Sequence, residues 1–247
     1  MMRLLRASLV LVVLVAVGCA SGQQGREASR INTQLGVNYM QQGNLSQANE
    51  SLDKALEQDR RNPEAHAAKA VLAERLGEYD DADHHYRRSL RLDDDQSSVR
   101  NNYGRFLCSQ GRYDDAEEQF QYAIDDSLYQ RRHVALANAG LCAMRDGREE
   151  EAEEYLRRAL QHESRFAPAL RHLAELRYDN GDYLSARGYY QRLMEQQSQN
   201  AATLWLGVRI ENALDNKDEA ASYALRLRSD YPDSEEAQAL RRMDRDD

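Results

Sequence analysis

Beyond residue 28 the apolar and small residues of this 247-residue chain recur on a fixed beat. Gly43, Gly77, Gly111, Gly147 and Gly181 stand 34, 34, 36 and 34 residues apart, and Ala48, Ala82, Ala116, Ala152 and Ala186 each follow five residues later. Ala220 continues the alanine series, with Asp215 in the glycine position. Glycine tolerates the tight turn that closes one helix, and alanine is small enough for the next helix to pack closely. The beat therefore predicts two helices per 34 residues. From Ser21 to about Ala28 the chain is small and polar, with Gly22, Gly25 and no apolar period, which predicts a flexible tether. Ahead of it, Arg3 and Arg6 precede an apolar run from Leu9 to Val17. That run is shorter than the roughly 20 residues a membrane-spanning helix needs, and it predicts an export signal over residues 1–18.

In the first period Leu35, Gly36, Tyr39, Gly43, Ala48, Leu52 and Ala55 fall in a pattern that resembles the tetratricopeptide repeat. The third supplies Tyr103, Gly104, Leu107, Gly111, Tyr113, Ala116, Phe120 and Ala123. The resemblance implies an all-α fold, a right-handed α-solenoid of six tetratricopeptide repeats at 29–62, 63–96, 97–130, 133–166, 167–200 and 201–234. A C-terminal capping helix and tail would occupy 235–247. Pro63, Pro168 and Pro232 fall at junctions, where a missing N–H costs least. The sixth period departs most from the pattern, with Gly207 and Val208 shifted and Asp215 at its turn. A lone hairpin cannot bury its apolar face, so neighbours stack and leave a concave groove.

Two narrower resemblances bear on function. Ala16-Val17-Gly18-Cys19-Ala20 is similar to a bacterial lipobox, which implies lipidation of Cys19 after cleavage and a lipidated tether over 19–28. Ala20 after that cysteine implies sorting to the outer membrane, where several acyl chains anchor stably at the periplasmic face. Asn101-Asn102-Tyr103-Gly104, Phe106-Leu107-Cys108, Asn138 to Ala143, Leu204 to Ile210 and Tyr231 to Ser234 resemble the PilF/PilW family of type IV pilus biogenesis lipoproteins. That resemblance implies a pilotin, a non-catalytic protein that helps the secretin PilQ reach the outer membrane and multimerise. The alternative in the same compartment is a general scaffold lipoprotein for envelope or cell-wall complexes.

Setting Cys19 aside leaves Cys108 and Cys142, in the first helices of successive repeats, where side-by-side packing brings a Cα separation near the disulfide range within reach. An oxidising periplasm would join them; the alternative is two reduced cysteines buried as small hydrophobes. A two-residue insertion at Arg131 and Arg132 falls at the same junction.

The groove-facing positions of the first helices carry Val37 and Met40 in repeat one and Ala67 and Val71 in repeat two, with Arg30, Glu64, Glu74 and Arg75 around them. An apolar strip with a polar rim suits a peptide or short helix from a partner, and Val37, Met40, Ala67, Val71 and Arg75 are the candidate contacts. The plainer alternative is that these side chains are core. Leu141 and Met144 form a lesser strip in repeat four.

Charge narrows the partners. The net charge is −9, and loss of a leader with Arg3 and Arg6 would deepen it, which opposes binding to phosphate backbones. Nucleic acid is not expected as a partner. Adjacent His84 and His85 point about 100° apart on a helix, unlike the i, i+4 pair of a metal site. There is no Gly-x-Ser-x-Gly, phosphate-cradling glycine loop or HExxH. No enzyme activity, metal, cofactor or small-molecule substrate is expected, and the reading is a binding module.

Overall fold

A computed structural model of the chain describes residues 2–196 and 199–246, with side chains described for 22–196 and 199–245. Among the described residues it contains helices and no strand, and the chain divides between Phe106 and Leu107 into two compact units. The Cys19 side chain lies outside the described residues. No helix among the described residues is long and apolar enough to cross a membrane.

The first unit contains α1 (Met2–Gln41), α2 (Leu45–Gln58), α3 (Pro63–Leu76), α4 (Tyr79–Leu92) and most of α5 (Ser97–Ser109). Its helix pairs are closed by the periodic glycines, with φ of 78° at Gly43 and 77° at Gly77. At the second of these turns Glu78 N–H donates to the Ala73 carbonyl at 2.9 Å and Gly77 N–H to Glu74, which satisfies carbonyls a helix end would leave bare. The alanine beat does the packing: Ala48 and Ala82 are fully buried. Where α1 crosses α2 the contact is closer still, because a Cβ added to Gly36 would stand 2.6 Å from Leu52 Cγ. Met40, Ala48, Leu52, Ala68 and Leu72 form the core between α1, α2 and α3. Asn62 caps α3 by accepting from Ala65 N–H, and Pro63 opens the helix where no N–H is needed.

Residues 19–28, expected as a flexible tether, are helical as part of α1. Position 25 is docked: a Cβ there would lie 3.1 Å from the Gln58 carbonyl at the end of α2. Glu27 and Arg30 pair at 2.7 Å one turn apart, a spacing that favours helix over coil. The two glycines raise the helix cost by about 1 kcal/mol each but do not forbid it.

The second unit begins with the end of α5 and contains α6 (Tyr113–Asp125), α7 (Arg132–Arg145), α8 (Glu149–His162), α9 (Ala167–Asp179), α10 (Tyr183–Met194), α11 (Ala201–Ala213), α12 (Lys217–Asp230) and α13 (Glu235–Asp246). The insertion lies in the α6–α7 connection, where Arg132 Nε donates to the Ile124 carbonyl at 2.8 Å and closes the longer loop. Cys108 and Cys142 form a disulfide with Cα atoms 5.8 Å apart. The sixth hairpin keeps the glycine turn without glycine: Asp215 sits at φ 58°, and Asn216 N–H donates to the Glu211 carbonyl at 2.8 Å. Ala237 and Leu240 of α13 pack on Leu204, Val208 and Leu227, covering the apolar face that the last hairpin would otherwise expose.

Candidate functional site

The prominent concavity of the first unit is an open groove of about 850 Å³ between α1, α3 and the start of α5. It exists because first helices of successive hairpins line one side of a stack while second helices fill the other. Val37, Met40, Ala67, Val71 and Arg75 all border it, together with Arg30 and Glu64 of the anticipated rim. The groove and core readings of the apolar strip divide by residue. Met40 is buried in the α1–α3 core and only its edge forms floor, whereas Val37, Ala67 and Val71 are half-buried and open to the concavity.

Arg75 has a second task. Its Nη1 donates to the Met40 carbonyl at 2.8 Å, so the end of α1 is closed from α3 and the guanidinium is held at the rim. Asn62 works from below: its Nδ2 donates to Ser29 Oγ at 2.8 Å, and Thr33 Oγ1 accepts from the same group. This buried amide cluster ties the α2–α3 turn to the middle of α1 and sets the spacing of the two groove walls. Glu74 is not at the rim. It turns away to accept from Arg105, with which it pairs at 2.8 Å, and from Tyr86 hydroxyl at 3.2 Å.

Several groove residues were invisible to repeat arithmetic. Val99 and Asn102 come from the next first helix, and Arg61 from the α2–α3 turn. Arg26 comes from the stretch read as tether, and it reaches the groove because α1 is helical there. Asp59, also bordering, is held in its own turn by accepting from Arg61 N–H at 2.9 Å.

Away from the groove, His85 does not pair with its neighbour His84 through nitrogen. Its Nδ1 lies 2.9 Å from Nδ1 of His66 on α3, and His66 Nε2 reaches the Arg60 carbonyl at 3.2 Å. Burial lowers both pKa values, that of His85 to about 4, with the neighbouring imidazoles adding to the effect. In the second unit Leu141 and Met144 are half-buried on α7. Arg148 there gathers Glu117, Asp146 and Glu151, while Tyr155 hydroxyl donates to Glu117 at 2.9 Å. These bonds clip one hairpin to the next, and no group of three or more metal-ligating side chains is assembled among the described residues.

A family model of the tetratricopeptide repeat matches residues 33–97, 68–127, 104–168 and 172–241. The type IV pilus assembly protein PilF of Pseudomonas aeruginosa is 37% identical over 243 residues, which span 94% of this chain and 96% of that protein. A solved structure of Pseudomonas aeruginosa PilF superposes with a TM-score of 0.79 at 36% identity, covering 89% of this chain and 99% of that one. The crystal structure of PilW, described as a widely conserved type IV pilus biogenesis factor, gives 0.80 at 32% identity over 86% and 97% of the two chains. A tetratricopeptide repeat protein from Parabacteroides merdae, 20% identical with a TM-score of 0.64, shares the fold.

Proposed function

Because the chain belongs to the PilF/PilW family of tetratricopeptide-repeat proteins of type IV pilus biogenesis, we propose that it is a pilotin that captures a subunit of the pilus secretin, PilQ. The captured segment lies in the groove between α1, α3 and α5, on Val37, Ala67 and Val71. Lipidated Cys19 anchors the protein at the periplasmic face of the outer membrane, and capture there promotes secretin localisation and multimerisation. The role is binding rather than catalysis.

The observation that carries this reading is the groove itself: in a chain related to PilF along nearly its whole length, apolar side chains stand half-buried in an open concavity. Burying that strip beneath a partner supplies about 25 cal/mol per Å² of apolar surface, and the polar rim gives the partner its register. The disulfide adds support for an oxidising compartment.

The test is genetic and biochemical together. Cells lacking the protein should be without pili and hold PilQ as monomers. Val37→Asp with Val71→Asp should fail to restore multimers although the protein keeps its helicity and its membrane fraction. Restored multimers with this double variant would count against the groove. Loss of cell shape or septation with normal PilQ rings would favour the general envelope scaffold instead.

A further inference from the structure

The groove carries a charge bias opposite to that of the chain. Four arginines border it, Arg26, Arg30, Arg61 and Arg75, against two carboxylates, Asp59 and Glu64, in a protein whose net charge is −9. The guanidiniums are not equally committed. Arg30 is paired with Glu27, and Arg75 spends one nitrogen on the Met40 carbonyl. Arg26 and Arg61 are exposed and have no carboxylate partner among the described residues. Of the two acids, Asp59 is occupied by its own turn and Glu64 lies in the first turn of α3, where the helix N-terminus favours a negative charge.

The floor points the same way. Val37, Met40, Ala67, Val71 and Val99 are aliphatic or thioether side chains, and no aromatic ring borders the groove among the described residues. A lysine- or arginine-rich segment would meet four guanidiniums against two carboxylates, one of them engaged in its own turn, and no aromatic face for a cation. An occupant with small aliphatic anchors and flanking carboxylates satisfies both the floor and the two unpaired guanidiniums.

Resting on the reading of this groove as the secretin-binding surface, we infer that its occupant is an acidic peptide segment with aliphatic anchors, whose carboxylates meet Arg26 and Arg61. Rim charges of this kind steer association and select the partner, so their signature is salt sensitivity and a loss on charge reversal.

The experiment measures binding of detergent-solubilised PilQ to the full-length lipidated protein and three double variants. Arg26→Glu with Arg61→Glu should weaken binding at least about tenfold, Arg26→Lys with Arg61→Lys should stay within about threefold, and wild-type affinity should fall as salt is raised. Val37→Asp with Val71→Asp should abolish it. Both arginines are exposed, so reversal leaves the core untouched, and circular dichroism verifies that. A photo-crosslinker in place of Gln34, on the groove wall, then identifies the bound segment by mass spectrometry. An unchanged affinity after charge reversal, or a crosslinked segment that is neutral or basic, would overturn the inference while loss in the valine variant kept the groove. Full binding by the valine variant would overturn the groove, and the acidic occupant with it.

Discussion

His66 and His85 face each other through their Nδ1 atoms at 2.9 Å, nineteen residues apart on α3 and α4. Since His66 Nε2 points at the Arg60 carbonyl and donates to it, its Nδ1 carries the lone pair and His85 Nδ1–H must be the donor. One added proton goes to His85 Nε2 and leaves the Nδ1–H donation to His66 intact. A second would set two N–H groups head to head, with His84, Lys69, Arg88 and Arg91 adding positive charge around them, while Asp81 and the Arg60 carbonyl act in the opposite sense.

Acid should therefore loosen the first unit. Both folded pKa values lie below the unfolded value near 6.5, so the neutral pair contributes stability above that pH and loses it as the pH falls toward the His85 value of about 4. Urea midpoints across this window should drop in the wild type and drop less in His85→Gln. Parallel curves would show that the pair is neutral to stability.

Gly36→Ala should destabilise. Alanine in a helix interior gains about 1 kcal/mol over glycine. Here its Cβ would meet Leu52 Cγ at 2.6 Å and the Ala48 carbonyl at 3.3 Å, and the backbone oxygen cannot turn aside. Overpacking of this kind costs about 1–3 kcal/mol, so a net loss of up to about 2 kcal/mol is expected in chemical denaturation. Gly22→Ala, with nothing within 4 Å, is the control and should be neutral or stabilising.

Reduction should be felt in the second unit. The Cys108–Cys142 bridge closes a segment with a sequence separation of 34. Cross-links of this span contribute about 2–4 kcal/mol, mainly by restricting the unfolded chain. A reductant, or Cys108→Ala with Cys142→Ala, should lower the thermal midpoint by a matching amount. Non-reducing mass spectrometry that found two free thiols would contradict the bridge.

Asp215→Gly should stabilise the sixth hairpin. At φ 58° an aspartate bears steric strain that glycine does not. Relief is offset by the larger unfolded freedom of glycine, leaving a gain of about 0.5 kcal/mol in the denaturation midpoint. No gain, or a loss, would mean that the Asp215 side chain earns its place through local hydrogen bonding.

The hairpins were legible in the sequence because each needs a left-handed turn residue and a small packing residue at a set offset, and Gly43, Gly77, Ala48 and Ala82 supply both locally. The groove was partly legible for the same reason: repeat position alone points Val37, Ala67 and Val71 at one concavity. What lay beyond reach depends on neighbours. Arg26 borders the groove only because α1 extends back past the repeat, and Arg61 because a turn folds toward it. Glu74 shares the helix of Arg75 but is drawn off by Arg105, a partner 31 residues away. His85 likewise stood in the sequence beside His84 alone, and its partner on α3, His66, lies 19 residues away.

The seal formed by Ala237 and Leu240 over Leu204, Val208 and Leu227 has a consequence for the molecule as a whole. Stacked repeats present the same kind of greasy end after every unit, and nothing in their physics says when to stop. An exposed end of that kind invites head-to-tail polymerisation into open filaments. With α13 in place, the stack carries its own terminator, and a premature stop codon after Ser234 would release a chain with a sticky end.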